Sequence, residues 1–183
     1  MPEYRRIKKA GGTYFFTVVT RGRRPILTSP EVRQALREGI SQVRQTMPFS
    51  IEAWVLLPDH LHTIWTLPEH DDRIAARWAV IKSYVTKRCR HLFTTKENVS
   101  KSRSRRKEGS VWQRRFWEHV IRDDPDFHRH LDYLHWNPVK HGYAKTPMDW
   151  PYSTIHRFVA HGLYPPNWGC DCVEEYSADN FGE

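Results

Sequence analysis

The chain has 183 residues, with 29 Lys and Arg against 21 Asp and Glu, a formal net charge of +8. That length suits one domain with an ordered tail. No apolar run reaches membrane-spanning length, and the opening MPEYRRIKKAGG lacks the apolar stretch of a signal peptide, so a cytoplasmic location is expected.

A basic surface attracts polyanions, which puts nucleic acid ahead of an anionic membrane as partner; simple solubility is the competing explanation. Cys89, Cys170 and Cys172 form no disulfide framework.

In chain order, TYFFTVVT (13–20) is rich in aromatic and β-branched residues and predicts a strand. TSPEVRQALREGISQV predicts a helix, with Thr28 and Glu31 as a capping box and Pro30 in the first turn. Its buried stripe is Val32, Leu36, Ile40 and Val43. FSIEAWVLLP and HLHTIWTL predict a hairpin broken at Pro58 and Asp59. A second helix, capped by Asp71 or Asp72, carries Ile74, Trp78, Ile81 and Val85 inward. The Lys-, Arg- and Ser-rich stretch 94–110 has no apolar period and reads as a loop. A short strand is expected from Val111 to Phe116. A third helix, capped by Asp123 or Asp124, should end before Pro138. After it the expectation is a docked tail with one short helix, so the domain is drawn at 1–148 and the tail at 149–183. The first six elements, strand, helix, strand, strand, helix, strand, fit an α+β, ferredoxin-like (split βαβ) fold: a four-stranded antiparallel sheet with helices on one face.

Two constellations carry chemistry. His60 and His62 lie at i and i+2 of a strand, on one face and about 6.5–7 Å apart along the chain, so their imidazoles can converge on one ion. Two hydrogen-bonded histidines without a metal fit the same spacing. On the third helix, Tyr133 and Asn137 are four apart and share a face, with His130 near the same line. Leu131 and Leu134 point toward the core, which puts Tyr133 at the edge of the buried surface. A packed interfacial tyrosine and a helix-ending asparagine are the plain alternatives.

The segments LLPDHLH, VWQRRFWEHVI, HLDYLHWNPVKHGY and DWPYSTIHR together resemble the REP-associated tyrosine transposases, relatives of the single-tyrosine HUH transposases. REP denotes a repetitive extragenic palindrome. The likeness runs from YRR and GGTYFFTVVTR to about Pro165. It implies the HUH endonuclease fold, with a catalytic-tyrosine helix added. It implies His60 and His62 as the metal pair, Asn137 as the polar residue completing the site, and Tyr133 as the nucleophile. The cofactor it implies is a divalent ion, Mg²⁺ or Mn²⁺. The implied substrate is single-stranded DNA folded as a palindromic hairpin with a short guide sequence at its foot. The implied reaction is cleavage and rejoining through a 5′-phosphotyrosine. His130 and His135 are open as proton acceptors, with structural or DNA-facing roles as the alternatives.

Basic residues interleaved with rings suit that substrate. The expected DNA contacts are Tyr4, Arg5, Arg6, Lys8 and Lys9 near the start, then Arg103, Arg105, Arg106, Trp112, Arg114 and Arg115. A solvated loop beside core aromatics is the other reading of the second group. A replication-origin or conjugative nickase, and a palindrome-binding protein without activity, are the competing functions. A zinc site on Cys170 and Cys172 lacks four ligands. A nucleoid-associated monomer is expected, with a dimer as the alternative.

Overall fold

In the computed structural model, residues 9–93 and 111–170 are described. β1 (Thr13–Val19) is a central strand buried on both faces. It pairs antiparallel with β3 (His60–Thr66) on one side and β4 (Trp117–Val120) on the other. β2 (Ser50–Leu56) forms the other edge, giving the order β2-β3-β1-β4. That order is the split βαβ arrangement. Between β2 and β3, Leu57 donates its N–H to the His60 carbonyl across Pro58 and Asp59, closing the expected tight hairpin.

Alternation along the strands separates two cores. Tyr14, Phe16, Val18, Leu61 and Trp65 face α1 (Pro30–Thr46) and α2 (Ile74–Arg88). There Trp65 stacks on Trp78 at 4.3 Å and on Phe49 at 4.2 Å. Gly39 lets the two helices approach closely: a Cβ there would lie 3.2 Å from the Tyr84 ring. A single turn, α3 (Arg90–Phe93), follows α2. Phe15, Ala53, Val55 and Ile64 face the other way, against α4 (Asp124–Lys140) and α5 (Ile155–Ala160). The sheet is thus sandwiched: α1 and α2 cover one face, and the tyrosine helix with the tail covers the other.

Four local expectations are corrected. α1 starts after Ser29 with no side-chain cap, so Thr28 and Glu31 form no capping box. α2 starts after Arg73, and Asp71 serves mainly as partner to the buried Arg77, which also donates to the Met47 and Pro48 carbonyls. The fourth strand lies at 117–120, not 111–116. Thr20 and Trp112 form only an isolated bridge, because Gln113, Arg114 and Arg115 are all exposed and break the alternation a strand needs. Finally, α4 does not stop before Pro138. It runs through to Lys140, and the Pro138 carbonyl then accepts from Tyr143. The Asp123 cap holds: its side chain accepts from the Asp126 N–H.

The segment after α4 closes the open edge of β2. Leu56 N–H donates to the Tyr152 carbonyl, Thr154 N–H to the Trp54 carbonyl, and Trp54 N–H to the Thr154 hydroxyl. Trp150 Nε1 adds a bond to the Leu56 carbonyl. An unpaired strand edge is a template for unwanted pairing, and this segment occupies it.

Candidate metal and tyrosine site

His60 and His62 project from β3 onto the α4 side of the sheet, opposite Val19 and Thr17 of β1. Both are fully buried. Their rings are 5.0 Å apart and nearly perpendicular. Each ring is fixed through Nδ1. His60 Nδ1 meets Asp59 Oδ1 at 2.7 Å, and His62 Nδ1 meets the Thr17 hydroxyl at 2.9 Å. Anchoring Nδ1 in this way sets the ring orientation and makes Nε2 the ring atom that could ligate an ion, an arrangement that metal-binding histidines commonly use. Asp59 is itself held by Arg23 at 3.0 Å. Burial would raise the Asp59 carboxyl, but hydrogen bonds from His60 and Arg23 outweigh it and hold it at about 2. Asp59 therefore stays anionic behind His60.

Asn137 enters from α4. Its Oδ1 lies 3.2 Å from His60 Nε2. Two ligands each about 2.1 Å from one ion and at right angles to each other are about 3 Å apart, so this spacing fits the edge of a coordination shell. Two imidazole nitrogens and an amide oxygen form a neutral donor set of mixed hardness, suited to Mn²⁺ and acceptable to Mg²⁺ with further oxygens from water or phosphate.

Tyr133 lies one helical turn before Asn137. Its ring meets His62 edge-on at 5.3 Å and Phe15 at 6.2 Å. It is 1% exposed, not at the boundary the apolar stripe suggested. The stripe is wider than the leucines alone because Phe15 and His62 of the sheet pack on the tyrosine. Lys140 Nζ donates to the Tyr133 hydroxyl at 3.2 Å and sits 4.7 Å from the ring centroid. Sequence reasoning missed Lys140, and its spacing held the signal: residues seven apart on a helix share a face. Ending the helix at Pro138 hid that relation. His141, just beyond, brings its ring to 4.9 Å from His60.

His130 and His135, the two helix histidines open as proton acceptors, have structural surroundings. His135 is buried against Phe158 and Tyr164, with Nε2 3.1 Å from the Thr154 hydroxyl; burial pushes it down to about 3. His130 bonds the Asp126 carbonyl at 2.8 Å and stacks on His119 at 4.4 Å. Burial lowers its pKa. His119, Asp126 and His130 form a cluster that sequence reasoning also missed, with donor atoms within 4.8 Å of one another. Their types suit a divalent cation, but the cluster is closed by its own hydrogen bonds: Asp126 Oδ2 accepts from His119 at 2.8 Å and from Arg122 at 3.0 Å. Burial opposes ionisation of Asp126, and those partners outweigh it, keeping the carboxyl well below its usual range. This network ties β4 to the start of the tyrosine helix.

The expected DNA contacts are only partly placed. Tyr4, Arg5, Arg6, Lys8, Arg103, Arg105 and Arg106 lie outside the described residues. Lys9, Arg114 and Arg115 are exposed. Trp112 is 7% exposed, belongs to the core against α2, and donates its indole N–H to the Lys82 carbonyl. Its ring packs inward, which corrects the expectation of an open stacking face.

Comparison with known proteins gives the lineage. The family model described as "Transposase IS200 like" matches residues 9–135. A REP-associated tyrosine transposase of Escherichia coli strain K12 is 47% identical over 178 residues, spanning 97% of this chain and 96% of the relative. A Haemophilus influenzae relative given the same family name is 43% identical over 169 residues, spanning 92% and 94%. A solved structure of a REP-associated tyrosine transposase bound to a REP hairpin superposes with a TM-score of 0.80 at 44% identity, covering 100% of this chain and 98% of the other.

Proposed function

The chain belongs to the REP-associated tyrosine transposases, within the IS200-like transposase family, and from that membership and the site's geometry we propose that it cuts and rejoins single-stranded REP hairpin DNA. The observation that carries the reading is the convergence of His60, His62, Asn137 and Tyr133 on one face of the sheet, from a strand and a helix 77 residues apart at the His60–Asn137 contact.

His60 and His62, through Nε2, and Asn137, through Oδ1, would hold a divalent ion. When bound, that ion supplies charge neutralisation to a phosphate oxygen during attack. Asp59 and Thr17 keep both imidazoles in the ligating orientation. Tyr133 is the nucleophile. A phenol has a reference pKa near 10 and needs help at neutral pH. Lys140, donating to its oxygen at 3.2 Å, places a hydrogen-bond donor beside the atom that attacks. The Tyr133 oxygen forms a bond to the scissile phosphorus as the bond to the 3′-oxygen breaks. The phenol proton passes to solvent, and the departing 3′-oxygen takes one proton from solvent. The product is a 5′-phosphotyrosine and a free 3′-hydroxyl. The phosphodiester energy is retained, so a 3′-hydroxyl can attack in turn and rejoin the strand.

The test is replacement of each histidine. His60→Ala and His62→Ala are expected to abolish most metal-dependent cleavage of a labelled hairpin oligonucleotide. Hairpin affinity should stay within a few-fold, because phosphate contacts spread over the surface carry it. Cleavage by either variant at the wild-type rate under limiting Mn²⁺ or Mg²⁺ would show that the site is misassigned.

A further inference from the structure

A groove of about 840 Å³ runs between α1 and the edge formed by β2 and the segment paired to it. Its floor is apolar, with Leu36, Ile40, Ile51 and Trp54. Arg33, Arg37 and Arg44 line it from α1. These three are four and eleven residues apart, on one helix face, and span about 16 Å. Among the described residues none of them pairs with a carboxylate: Arg33 donates to the Thr28 carbonyl and lies 4.5 Å over the Tyr152 ring, Arg37 meets Gln34, and Arg44 lies over Phe49. A row of unneutralised guanidinium groups above an apolar, aromatic floor matches the phosphates and bases of an unpaired strand.

The groove is on the face of the sheet away from His60 and His62, but a line of rings joins the two. From His60 the contacts step to His141 at 4.9 Å, to Tyr143 at 6.1 Å, to Trp150 at 5.7 Å, and to Tyr152 at 5.6 Å. Tyr143 is exposed, and Trp150 and Tyr152 are half-buried. The line rounds the β2 edge and ends under Arg33. Sequence-tolerant stacking on successive rings is how proteins guide single strands.

We infer that the single-stranded flank of the substrate leaves the tyrosine site along Tyr143, Trp150 and Tyr152 and is gripped in the groove by Arg33, Arg37 and Arg44. This rests on the proposed function and adds to it a second DNA site, one that reads no sequence and favours substrates with an unpaired extension. Charge decides for a nucleic-acid strand: among the described residues the groove presents three cations in a row and no acidic lining residue.

The experiment measures binding of three labelled REP stem-loop oligodeoxynucleotides by anisotropy: one blunt, one with a 5′ oligothymidine flank and one with a 3′ flank, each flank about ten nucleotides long. The proteins are the wild type, the double variant Arg37→Glu with Arg44→Glu, and Tyr143→Ala. One of the two flanks is expected to tighten wild-type binding about tenfold, a gain that one or two stacked bases supply. The double variant should lose most of that gain and bind the blunt stem-loop as the wild type does. Its salt dependence on the flanked DNA should be shallower by about 1.4 in log–log slope, two phosphates at about 0.7 each. Tyr143→Ala should lose part of the gain with the slope unchanged. Equal flank gains in wild type and double variant would overturn the inference and leave the groove to an acidic protein partner. Equal weakening on blunt and flanked DNA would overturn it too, as general electrostatics. Failure of the wild type to bind any stem-loop would remove the proposed function and this site together.

Discussion

Asp59 governs how His60 faces the site. It is held ionised by His60 and Arg23 against the cost of its burial, and its contact is to Nδ1, so Nε2 is directed toward Asn137. Losing such an outer partner typically costs about 10–100-fold in metal affinity. Asp59→Asn is therefore expected to raise the Mn²⁺ concentration needed for half-maximal cleavage by about that factor, while cleavage at saturating ion largely recovers. A metal titration of hairpin cutting measures it; an unchanged midpoint would mean the aspartate does not tune the site. At this scale the sequence was informative where spacing alone decides proximity. His60 and His62 share a face because strands alternate, and Tyr133 and Asn137 share one because helices turn every 3.6 residues. Asp59 stood in the same LLPDHLH motif, yet its role needed the hairpin geometry that turns its carboxylate back onto His60. Thr17 was not legible, since its place beside His62 depends on the register between β1 and β3.

The tyrosine helix shows how an element's own rules can be overridden. A proline usually ends a helix by removing an N–H and restricting the residue before it. Here α4 continues past Pro138, and that extension brings Lys140 under Tyr133 and His141 beside His60. The opposite case is the fourth strand, where a composition of Val, Trp and Phe promised order too early and register with β1 selected 117–120. α4 also carries a pH dependence. His135 is neutral in the folded chain down to about 3, because burial disfavours its charge, whereas an exposed histidine titrates near 6.5. Above about 6.5 both states are neutral and stability does not change. As pH falls below that value the unfolded chain binds a proton that the folded chain excludes, so stability drops by up to about 1.4 kcal/mol per pH unit from this group. Urea unfolding at pH 7 and pH 5 should show a larger loss for the wild type than for His135→Gln. Parallel losses in the two proteins would mean that His135 takes up its proton in the folded state.

Over the whole molecule, the sheet divides labour between its faces. One face, with α1 and α2, holds the aromatic core that makes the sheet rigid; the other presents the histidines to the tyrosine helix. The split βαβ order was legible because its first five elements have a clear pattern and only the bounds of the fourth strand were misread, and the family motifs agreed with it. The seating of the segment after α4 on the β2 edge was not, because backbone pairing through Tyr152, Ser153 and Thr154 leaves no hydrophobic period in the sequence. The exposed Tyr143 ring and the half-buried Trp150 and Tyr152 offer faces on which unpaired bases can stack, faces that a stacked duplex cannot use. Cleavage of a single-stranded palindrome should therefore exceed that of the same sequence as a perfect duplex by at least about tenfold at equal concentration; equal rates in a gel assay would contradict the single-strand reading. Covalent joining of Tyr133 to DNA is the proposed step on which the function rests. Its direct measurement is mass spectrometry of the protein after reaction with a REP hairpin oligonucleotide and nuclease trimming. Nucleotide mass is expected on the peptide that contains Tyr133, and is expected to be absent from Tyr133→Phe, which should still fold and bind the hairpin. Nucleotide mass on Tyr143 or Tyr152 instead, or normal cleavage by Tyr133→Phe, would contradict it.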